Sequence, residues 1–313
     1  MLGLSCDDEV VDDWAVRFKA MTGLLRSDRP EDVTLLARWL GERRSVGPLA
    51  PAEERLLRRA EARLEASPVH ERRLGVAFSG STWRQPVPPT STATRARVVE
   101  RVVDLIEGRG DGRLRVAVDG FTASGKTSFG HEVACSLAQR GRQALRASLD
   151  DFKRPWNEAH LYDRTSGEGY YHNAFDLQAT RRLLLDPSGP TGTGVVALCG
   201  IDPLTQIDHS HVKTLMVSNG ILVVDGTFAC RPELDVYWDL RVWLDVDAEL
   251  SVRRGTERDA EMDGGPAAAE KLHRDRYLAA ELLYLDEVDP CSFVEVVIDN
   301  TDLTRPIVIR QTA

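Results

Sequence analysis

Residues 114–127, LRVAVDGFTASGKT, constrain the fold of this chain more than any other stretch. A short apolar run leads directly into a loop framed by Gly120 and Gly125 and closed by Lys126 and Thr127. Paired glycines let consecutive backbone N–H groups point at one anion, and a following helix adds its positive dipole end. In this spacing the lysine reaches terminal phosphates and the threonine hydroxyl reaches Mg²⁺. The stretch therefore predicts a phosphate-binding loop for a nucleoside triphosphate with its metal.

The flanking pattern agrees with such a loop. The run before it is short and apolar, as expected for a buried parallel strand that ends near Asp119. After the loop, apolar residues recur at helical spacing until Gly141, a residue typical of a left-handed helix end. We therefore expect the nucleotide to bind the loop and the first turn of the helix, at Gly120, Ala123, Ser124, Gly125, Lys126, Thr127 and Ser128.

Composition narrows the classes of partner and location. The 313 residues are 42% hydrophobic and 28% charged, without an apolar run long enough to cross a bilayer, which argues against a membrane protein. The start, MLGLSCDDEV, lacks the features of an export signal and the five cysteines are scattered, so we expect a cytoplasmic protein with reduced thiols. A net charge of −9 argues against nucleic acid and favours a small-molecule ligand.

The first 90 residues predict a helical accessory region. Apolar residues recur at helical spacing from residue 8 to about 67, and arginines alternate with glutamates as on solvated helix faces. The run RQPVPPTSTAT at 84–94 predicts a linker. We therefore place a boundary between a region 1–90 and a domain 91–313. Region 1–90 has more apolar residues than short helices can bury among themselves. It should therefore pack on the domain or within a homo-oligomer.

Beyond the linker, strand and helix patterns alternate. A helix predicted after Ser91 ends at Gly108 and precedes the glycine loop. Further strands, separated by helical patterns, are predicted at 144–149, 194–198, 221–225 and 240–245. This alternation predicts an α/β fold: a parallel sheet of the P-loop NTPase type, flanked by helices, with an N-terminal helical appendage. Ligands of such sheets bind at the carboxyl ends of the strands.

Carboxylates stand at two of these strand ends. Asp150 and Asp151 follow the strand predicted at 144–149, and Asp225 ends the next main strand. A carboxylate near the terminal phosphate can accept the proton of an acceptor hydroxyl, which a kinase needs and a hydrolase does not. Either Asp150 or Asp151 can fill this role. Asp225 is placed to hold Mg²⁺, and the motif D-x-x-G that a GTPase would have at this place does not match.

A group of cations follows the strand predicted at 240–245. Arg253, Arg254 and Arg258 lie within one helical stretch. Negative charge on a phosphoryl group in transfer is stabilised best by mobile arginines. The stretch therefore predicts a lid that closes over the phosphates.

Six segments together resemble, in order and spacing, the uridine kinase and phosphoribulokinase family: GFTASGKT, SLDDF, YHNAFD, VVDGTF, RRGTERD and EVVIDNTD. The resemblance covers about Thr94 to Ile309. It implies a P-loop kinase fold, ATP with Mg²⁺, and transfer of the γ-phosphoryl group to a sugar hydroxyl, most closely the 5′-hydroxyl of uridine or cytidine. Among the residues it implies Asp150 as the catalytic aspartate, a metal site at Thr127, Asp150 and Asp225, and catalytic cations at Lys126, Arg254 and Arg258.

The acceptor region departs from that family. Asp202 is present, but Ile201 stands where the family has an aromatic residue. Tyr171 lies near the place of an acidic ribose contact, and with Asp202 and Asp151 it forms the set of predicted substrate-binding residues. Two alternatives therefore stay open: a kinase of the same fold for another small alcohol, such as a sugar, vitamin precursor or antibiotic, and a non-enzymatic regulator that senses nucleotide.

Overall fold

The computed structural model describes residues 40, 48–49, 51–66, 77–78 and 92–312, except for gaps at 156–157, 159–160 and 204–205. Most of the helices predicted before residue 48, and residues 84–91 of the predicted linker, lie outside the described residues. The boundary placed near residue 90 therefore stays a prediction. Within the described residues, no helix has both the length and the apolar character needed to span a bilayer.

Nine strands lie in the described part of the chain. They are β1 (Ala77–Phe78), β2 (Leu114–Gly120), β3 (Ala144–Ser148), β4 (Val195–Val196), β5 (Thr214–Leu215), β6 (Ile221–Asp225), β7 (Leu240–Asp245), β8 (Val296–Asp299) and β9 (Ile307–Gln311).

The helices of the described residues are α1 (Pro51–Ala66), α2 (Ala93–Glu107), α3 (Lys126–Gln139), α4 (Gly167–Asn173), α5 (Leu177–Thr180), α6 (Asp186–Ser188), α7 (Pro232–Asp235), α8 (Ala248–Asp259), α9 (Pro266–Leu272) and α10 (Ala279–Val288). A π-helical segment at Arg181–Leu185 joins α5 to α6, and another at His273–Leu278 joins α9 to α10. Short 3₁₀ turns occur at Leu149–Asp151 and Pro290–Ser292.

Seven strands form one sheet in the order β1-β3-β6-β2-β7-β8-β9. Neighbours are parallel, except that β9 runs antiparallel to β8 at one edge. β2 lies inside the sheet, with Val116 opposite Val223 of β6 on one side and Leu240 of β7 on the other. The carboxyl end of β2 is thus enclosed by neighbouring strand ends, and the predicted parallel α/β sheet is confirmed.

Both faces of the sheet are covered. Successive residues of a strand point to opposite faces, and accordingly Val116 and Val118 pack with the apolar sides of α2 and α3, whereas Ala117 joins a second cluster on the other face. All five residues of β6 are buried. Burying one such aliphatic side chain contributes roughly 1.5–3 kcal/mol. The core therefore holds the strand ends of the sheet rigidly.

The helices beside β2 begin and end at the predicted residues. Thr92 caps α2 by accepting a hydrogen bond from the N–H of Arg95, and Gly108 ends this helix. α3 starts directly at Lys126, and Gly141 just beyond its end has φ of 83°, in the left-handed region. The predicted left-handed end is confirmed.

The prediction of a main-sheet strand at 194–198 is wrong. Only Val195 and Val196 are extended, and they pair antiparallel with Thr214 and Leu215 in a separate two-stranded ribbon. The next backbone N–H groups turn elsewhere: Ala197 donates to the Leu183 carbonyl at 2.9 Å. The segment is apolar because it lies in the core beneath the sheet, and not because it belongs to it.

Part of the sheet precedes the predicted linker. β1 pairs in parallel with β3, Ala77 opposite Leu145. α1 has an ion pair to the segment after α8, with the Arg59 guanidinium 3.2 Å from a carboxylate oxygen of Glu261. The region before residue 90 thus contacts the domain at two described places.

Gly255 lies within α8 and gives a test of how this helix packs against His273. Helix propensity alone predicts that Gly255→Ala stabilises the protein by roughly 1 kcal/mol. However, an added Cβ would lie 2.7 Å from Nε2 of the buried His273 and closer still to two other atoms of its ring. We therefore expect a loss of roughly 1–3 kcal/mol in the free energy of unfolding, measured by urea denaturation.

Gly112→Ala is the matched control, because an added Cβ there meets nothing within 4 Å. Its free energy of unfolding should stay close to that of the wild type. A Gly255→Ala variant at least as stable as the wild type would contradict the placement of His273 against α8.

Candidate active site

The loop after β2 approaches its surroundings too closely for side chains at two positions. Gly120 has φ of 147°, and an added Cβ would lie 2.5 Å from the carbonyl oxygen of Leu244. Gly125 has φ of 96°, and an added Cβ would lie 2.8 Å from Nδ2 of Asn300. Ala123 also has a positive φ, of 57°. The backbone can take this path because the two tightest positions are glycines.

Buried polar groups hold the loop from below. Asn300, at the end of β8, is fully buried, and its Nδ2 donates to the Ser124 carbonyl at 2.6 Å. Asn300 is fixed in turn by Arg95, whose guanidinium donates to Oδ1 at 3.2 Å and pairs with Glu132 at 2.7 Å. The Ser251 hydroxyl of α8 donates to the Thr122 carbonyl at 2.5 Å. The loop is thus fastened to β8, α2 and α8.

Asp119 fixes the start of the same loop. Its fully buried carboxylate accepts hydrogen bonds from the N–H of Gly120 at 2.7 Å, the hydroxyl of Tyr284 at 2.7 Å and the N–H of Cys230 at 3.1 Å. Burial raises the pKa of Asp119, although these hydrogen bonds oppose the shift.

Lys126 is the charged centre of the site. Its side chain is 9% exposed, and Nζ donates to the carbonyl oxygens of Gly120 at 2.9 Å and Phe121 at 2.7 Å. Burial lowers the pKa of Lys126, while nearby carboxylates, Glu281 first among them, act to raise it. Phosphate oxygens are stronger acceptors for an ammonium than neutral carbonyls are. Lys126 therefore suits a bound polyphosphate.

The Ser124 hydroxyl is a further group that suits a bound anion. The residue is fully buried, and its hydroxyl has no hydrogen-bond partner among the described residues. A buried unpaired hydroxyl is costly unless a ligand or water satisfies it. Together with the close backbone approach at Gly120 and Gly125, this donor fits an anion held in the loop. Ser128, in the first turn of α3, is partly buried beside it.

Asp225 and Thr127 meet at the carboxyl end of β6. The Thr127 hydroxyl donates to Asp225 Oδ2 at 2.7 Å, and the Ser148 hydroxyl lies 3.4 Å from the same atom. The other carboxylate oxygen accepts from Arg146 at 2.5 Å. Carboxylate and hydroxyl oxygens are the donors that Mg²⁺ prefers. These residues can therefore hold the metal of a nucleotide.

Asp150 lies in the 3₁₀ turn after β3. Ser148 caps this turn, and a carboxylate oxygen of Asp150 is 2.7 Å from Nζ of Lys153. Burial opposes ionisation, but Lys153, Lys126 and Arg258 outweigh it and lower the pKa of Asp150. Asp150 is therefore an anion at neutral pH, within electrostatic range of the loop lysine and a lid arginine.

Asp151 is placed differently. It is 2% exposed, and its backbone carbonyl accepts from the N–H of Gly200 at 2.9 Å. Asp150 is less buried than Asp151. This difference favours Asp150 as the residue that a substrate can reach.

Two of the three α8 arginines predicted to form a lid, Arg258 and Arg254, have different partners. The Arg258 guanidinium forms two hydrogen bonds with Asp259, at 2.9 and 2.7 Å, and Asp259 also accepts from His273 at 3.0 Å. Burial opposes the ionisation of Asp259, but Arg258 and His273 outweigh this effect and lower the pKa of Asp259. Arg254 donates instead to the carbonyl oxygen of Thr301 at 2.6 Å. Arg258 is thus held near Asp150, whereas Arg254 lies on the loop after β8.

One other group of side chains has metal-ligand geometry. Potential ligand atoms of Asp259, Asp263 and His273 lie within 4.8 Å of one another. However, Asp259 already binds Arg258 on both oxygens. A cation there would have to displace an arginine, so this group fits a structural network better than a metal site.

The predicted acceptor residues lie deeper in the fold. Tyr171 is 1% exposed, with its ring 5.0 Å from that of Phe228 and the Arg231 guanidinium 4.5 Å above it. Asp202 is fully buried in the loop after Cys199. Their roles in substrate binding, like those of the other site residues, stay predictions.

Glu281 of α10 was not predicted to belong to the site. Its carboxylate accepts a hydrogen bond from the N–H of Thr122, and it is the carboxylate that acts most strongly on Lys126. Burial raises the pKa of Glu281 to about 7, although Lys126 and Thr122 oppose the shift. A glutamate on a helix carries no local signal of such a role, because only the tertiary fold brings α10 to the loop.

Comparison with known proteins supports the fold of this chain and no conclusion beyond the fold. A scan against protein-family models and a search of curated proteins both give no match. Among solved structures, the chain is similar to a candidate fructose transport system kinase from Silicibacter sp. TM1040, with a TM-score of 0.50 and 20% identity over 62% of this chain and 94% of that one. It also matches a possible uridine kinase from Bacillus stearothermophilus, with a TM-score of 0.48 and 20% identity over 64% and 96% of the two chains. The second score is too low to carry an argument.

The raised pKa of Glu281 predicts a pH-dependent stability. The carboxyl ionises near 4.5 in an unfolded chain and near 7 in the folded protein, so the folded state loses stability as the pH rises through this window. The side-chain amide of a glutamine does not titrate. Between pH 4.5 and pH 8, Glu281→Gln should therefore gain roughly 3 kcal/mol of unfolding free energy relative to the wild type, measured by urea denaturation.

The control is Glu249→Gln, which removes an exposed carboxylate paired with Arg274. The hydrogen bonds from Arg274 lower the pKa of Glu249, so this variant should lose stability relative to the wild type as the pH rises. A Glu281→Gln difference that is constant with pH would show that Glu281 is not buried beside the loop.

Proposed function

We propose that the protein is an ATP-dependent kinase that transfers the γ-phosphoryl group to the hydroxyl of a small molecule. The observation that carries this proposal is one grouping: Lys126 in the loop, Asp225 beside Thr127, and an ionised Asp150 within electrostatic range of Lys126 and Arg258. A nucleotide sensor needs no anionic base at this place. A kinase does, because the attacking hydroxyl must lose its proton.

The loop residues 120–128 and Lys126 would hold the triphosphate of ATP. Thr127 and Asp225 would hold Mg²⁺, and Arg146 already partly neutralises Asp225. When bound, Mg²⁺ neutralises charge on the phosphate oxygens. The remaining chemistry belongs to side chains of this chain, which position the acceptor and receive its proton.

Asp150 would accept the proton of the acceptor hydroxyl. As the hydroxyl oxygen bonds to the γ-phosphorus, the bond from that phosphorus to the bridging oxygen of ADP breaks. Arg258 would face the charge that spreads over the transferred group, and Asp259 with His273 would hold its guanidinium in place. Arg254 would act from the other side of the lid.

Two acceptor classes follow from different observations. A nucleoside such as uridine or cytidine is suggested by the resemblance of the six sequence segments. A different small alcohol is suggested by Ile201 in place of the family's aromatic residue and by the burial of Tyr171. The search for the acceptor should therefore include nucleosides and other small alcohols alike.

The test of the proposal is a screen of the full-length protein with Mg-ATP and a panel of nucleosides, sugars and other small alcohols. Release of ADP is measured and each product is identified by mass. Lys126→Ala should lower turnover of any acceptor by at least roughly two orders of magnitude, because it removes charge that stabilises the transferred phosphoryl group. Its fold is checked by circular dichroism. Unchanged turnover in this variant would contradict the assigned site.

The general base gives a sharper prediction. Asp150→Asn should lower turnover by roughly 10²- to 10⁴-fold while ATP affinity, measured by calorimetry, stays within a few-fold, since the base acts on the acceptor. Asp151→Asn is the matched comparison, with the same chemical change one residue away. If Asp151→Asn is the more damaging substitution, the base has been assigned to the wrong residue.

A further inference from the structure

A cavity next to Asp150 has walls of unusual charge. Four of the seven residues that line it are cations and none is a carboxylate; they are Lys153, Arg154, Arg164, Gly169, Asn173, Ala174 and Arg276. The whole chain has a formal net charge of −9, so this concentration is a local one. Clustered cations in a concave site attract anions.

Three elements converge on this cavity. Lys153 and Arg154 follow the 3₁₀ turn that carries Asp150, Asn173 ends α4, and Arg276 lies in the π-helical segment before α10. Two of the cations lie near the ring of Tyr170, with Lys153 Nζ 5.3 Å and the Arg276 guanidinium 4.9 Å from its centre. π-helical segments recur at functional sites because they displace a side chain from the regular helix surface.

Two donors in the cavity walls lack acceptors. Nε of Arg276 and Nδ2 of Asn173 are buried, and neither has a hydrogen-bond partner among the described residues. Leaving a buried donor unpaired costs roughly 1–3 kcal/mol, more for a charged group. Both atoms are covered in this structure, so the acceptor oxygens of a ligand would reach them only when the side chains of Arg276 and Asn173 turn towards the cavity.

The charges in the cavity are only partly neutralised by the protein. Lys153 pairs with Asp150 at 2.7 Å and Arg154 with Glu158 at 3.4 Å. Within the described part of the chain, Arg276 has no carboxylate within 4 Å; its guanidinium lies against the rings of Tyr170 and Tyr277, and its charge also acts on Asp163. Arg276 therefore offers a positive charge that a second anion can balance.

We propose that this cavity binds an anionic group, a phosphate or a carboxylate, carried by the alcohol that accepts the phosphoryl group. The inference rests on the proposed kinase function. Lys153 joins the two parts of the site, because it lines the cavity and also contacts the carboxylate of Asp150. An acceptor with its anionic group among these cations would place a neighbouring hydroxyl beside the base. Neutral nucleosides have no such group.

The first experiment compares matched pairs of acceptors with Mg-ATP: glycerol with glycerol 3-phosphate and with glycerate, ribose with ribose 5-phosphate, and uridine alone. The anionic member of a pair should have a kcat/KM at least roughly 10-fold higher, the value of one hydrogen bond to a charged group. Comparing phosphates with carboxylates decides between the two anions. Neutral acceptors that react equally well would overturn the proposal while leaving the kinase function intact.

Arg276→Gln tests the assigned residue. It should raise KM for the anionic acceptor by roughly 10- to 100-fold, with kcat and KM for ATP changed by no more than a few-fold. Arg274→Gln is the matched control, since Arg274 lies two residues away, outside the cavity, and pairs with Glu249 and Glu270. Equal effects of the two substitutions would attribute the loss to general charge and contradict the proposal.

A binding measurement separates failure of this inference from failure of the proposed function. Inorganic phosphate is titrated calorimetrically into full-length Lys126→Ala protein, in which the loop site is impaired, and into the double variant Lys126→Ala/Arg276→Gln. Phosphate binding that Arg276→Gln weakens by roughly 10-fold supports the cavity even if no acceptor turns over. Binding that is absent from both, or equal in both, overturns it.

Discussion

The rest of the structure depends on one buried charge, that of Lys126. Burial lowers the pKa of this ammonium, and carboxylates from several separate elements oppose that shift: Glu281 of α10, Asp119 of β2, Asp150 after β3 and Asp225 of β6. The parallel sheet brings the last three of these carboxylates together, because its strand ends lie side by side although the residues are far apart in sequence. Burial holds back the ionisation of two of these carboxyls, since it raises the pKa of Asp119 and raises that of Glu281 to about 7. The other two are paired with further cations, Asp225 with Arg146 and Asp150 with Lys153.

A second constraint is rigidity of the loop that carries Lys126. Its carbonyl groups are held by Asn300 and Ser251, and Asn300 is itself fixed by the buried pair of Arg95 and Glu132. Removing one partner of such a network leaves a buried polar group unsatisfied, which is why networks of this kind act as units. The loop can therefore keep its N–H groups in the arrangement that the proposed binding of an anion requires. Preorganised donors of this kind cost no reorganisation energy when the ligand binds.

The sequence predicted those parts of the fold and site whose physical causes are local. The strands at 221–225 and 240–245, the loop geometry of Gly120 and Gly125, and the helix end at Gly141 all follow from short-range pattern or backbone freedom. The prediction of a main-sheet strand at 194–198 was wrong because apolar residues indicate burial but do not show which strand a segment pairs with. Glu281 could not be found, since helix α10 comes to the loop only through packing. Asn300 lies in the segment EVVIDNTD, but its hydrogen bond to the loop can be seen only in the folded structure.

The arrangement of charges around Asp150 would orient an anionic acceptor in the site. A kinase whose acceptor is itself an anion must bring two negative groups together while keeping them apart enough to limit their repulsion, which falls with distance and with intervening opposite charge. Here Lys126 and Arg258 belong to the proposed nucleotide site, Lys153 and Arg276 line the neighbouring cavity, and the charges of Lys126, Arg258 and Lys153 all act on the carboxylate of Asp150. Two cationic sites that share one base would orient the acceptor end to end. Its hydroxyl would then face the phosphate and its anionic group would face away, so that the same charges that bind the substrate also select which of its oxygens reacts.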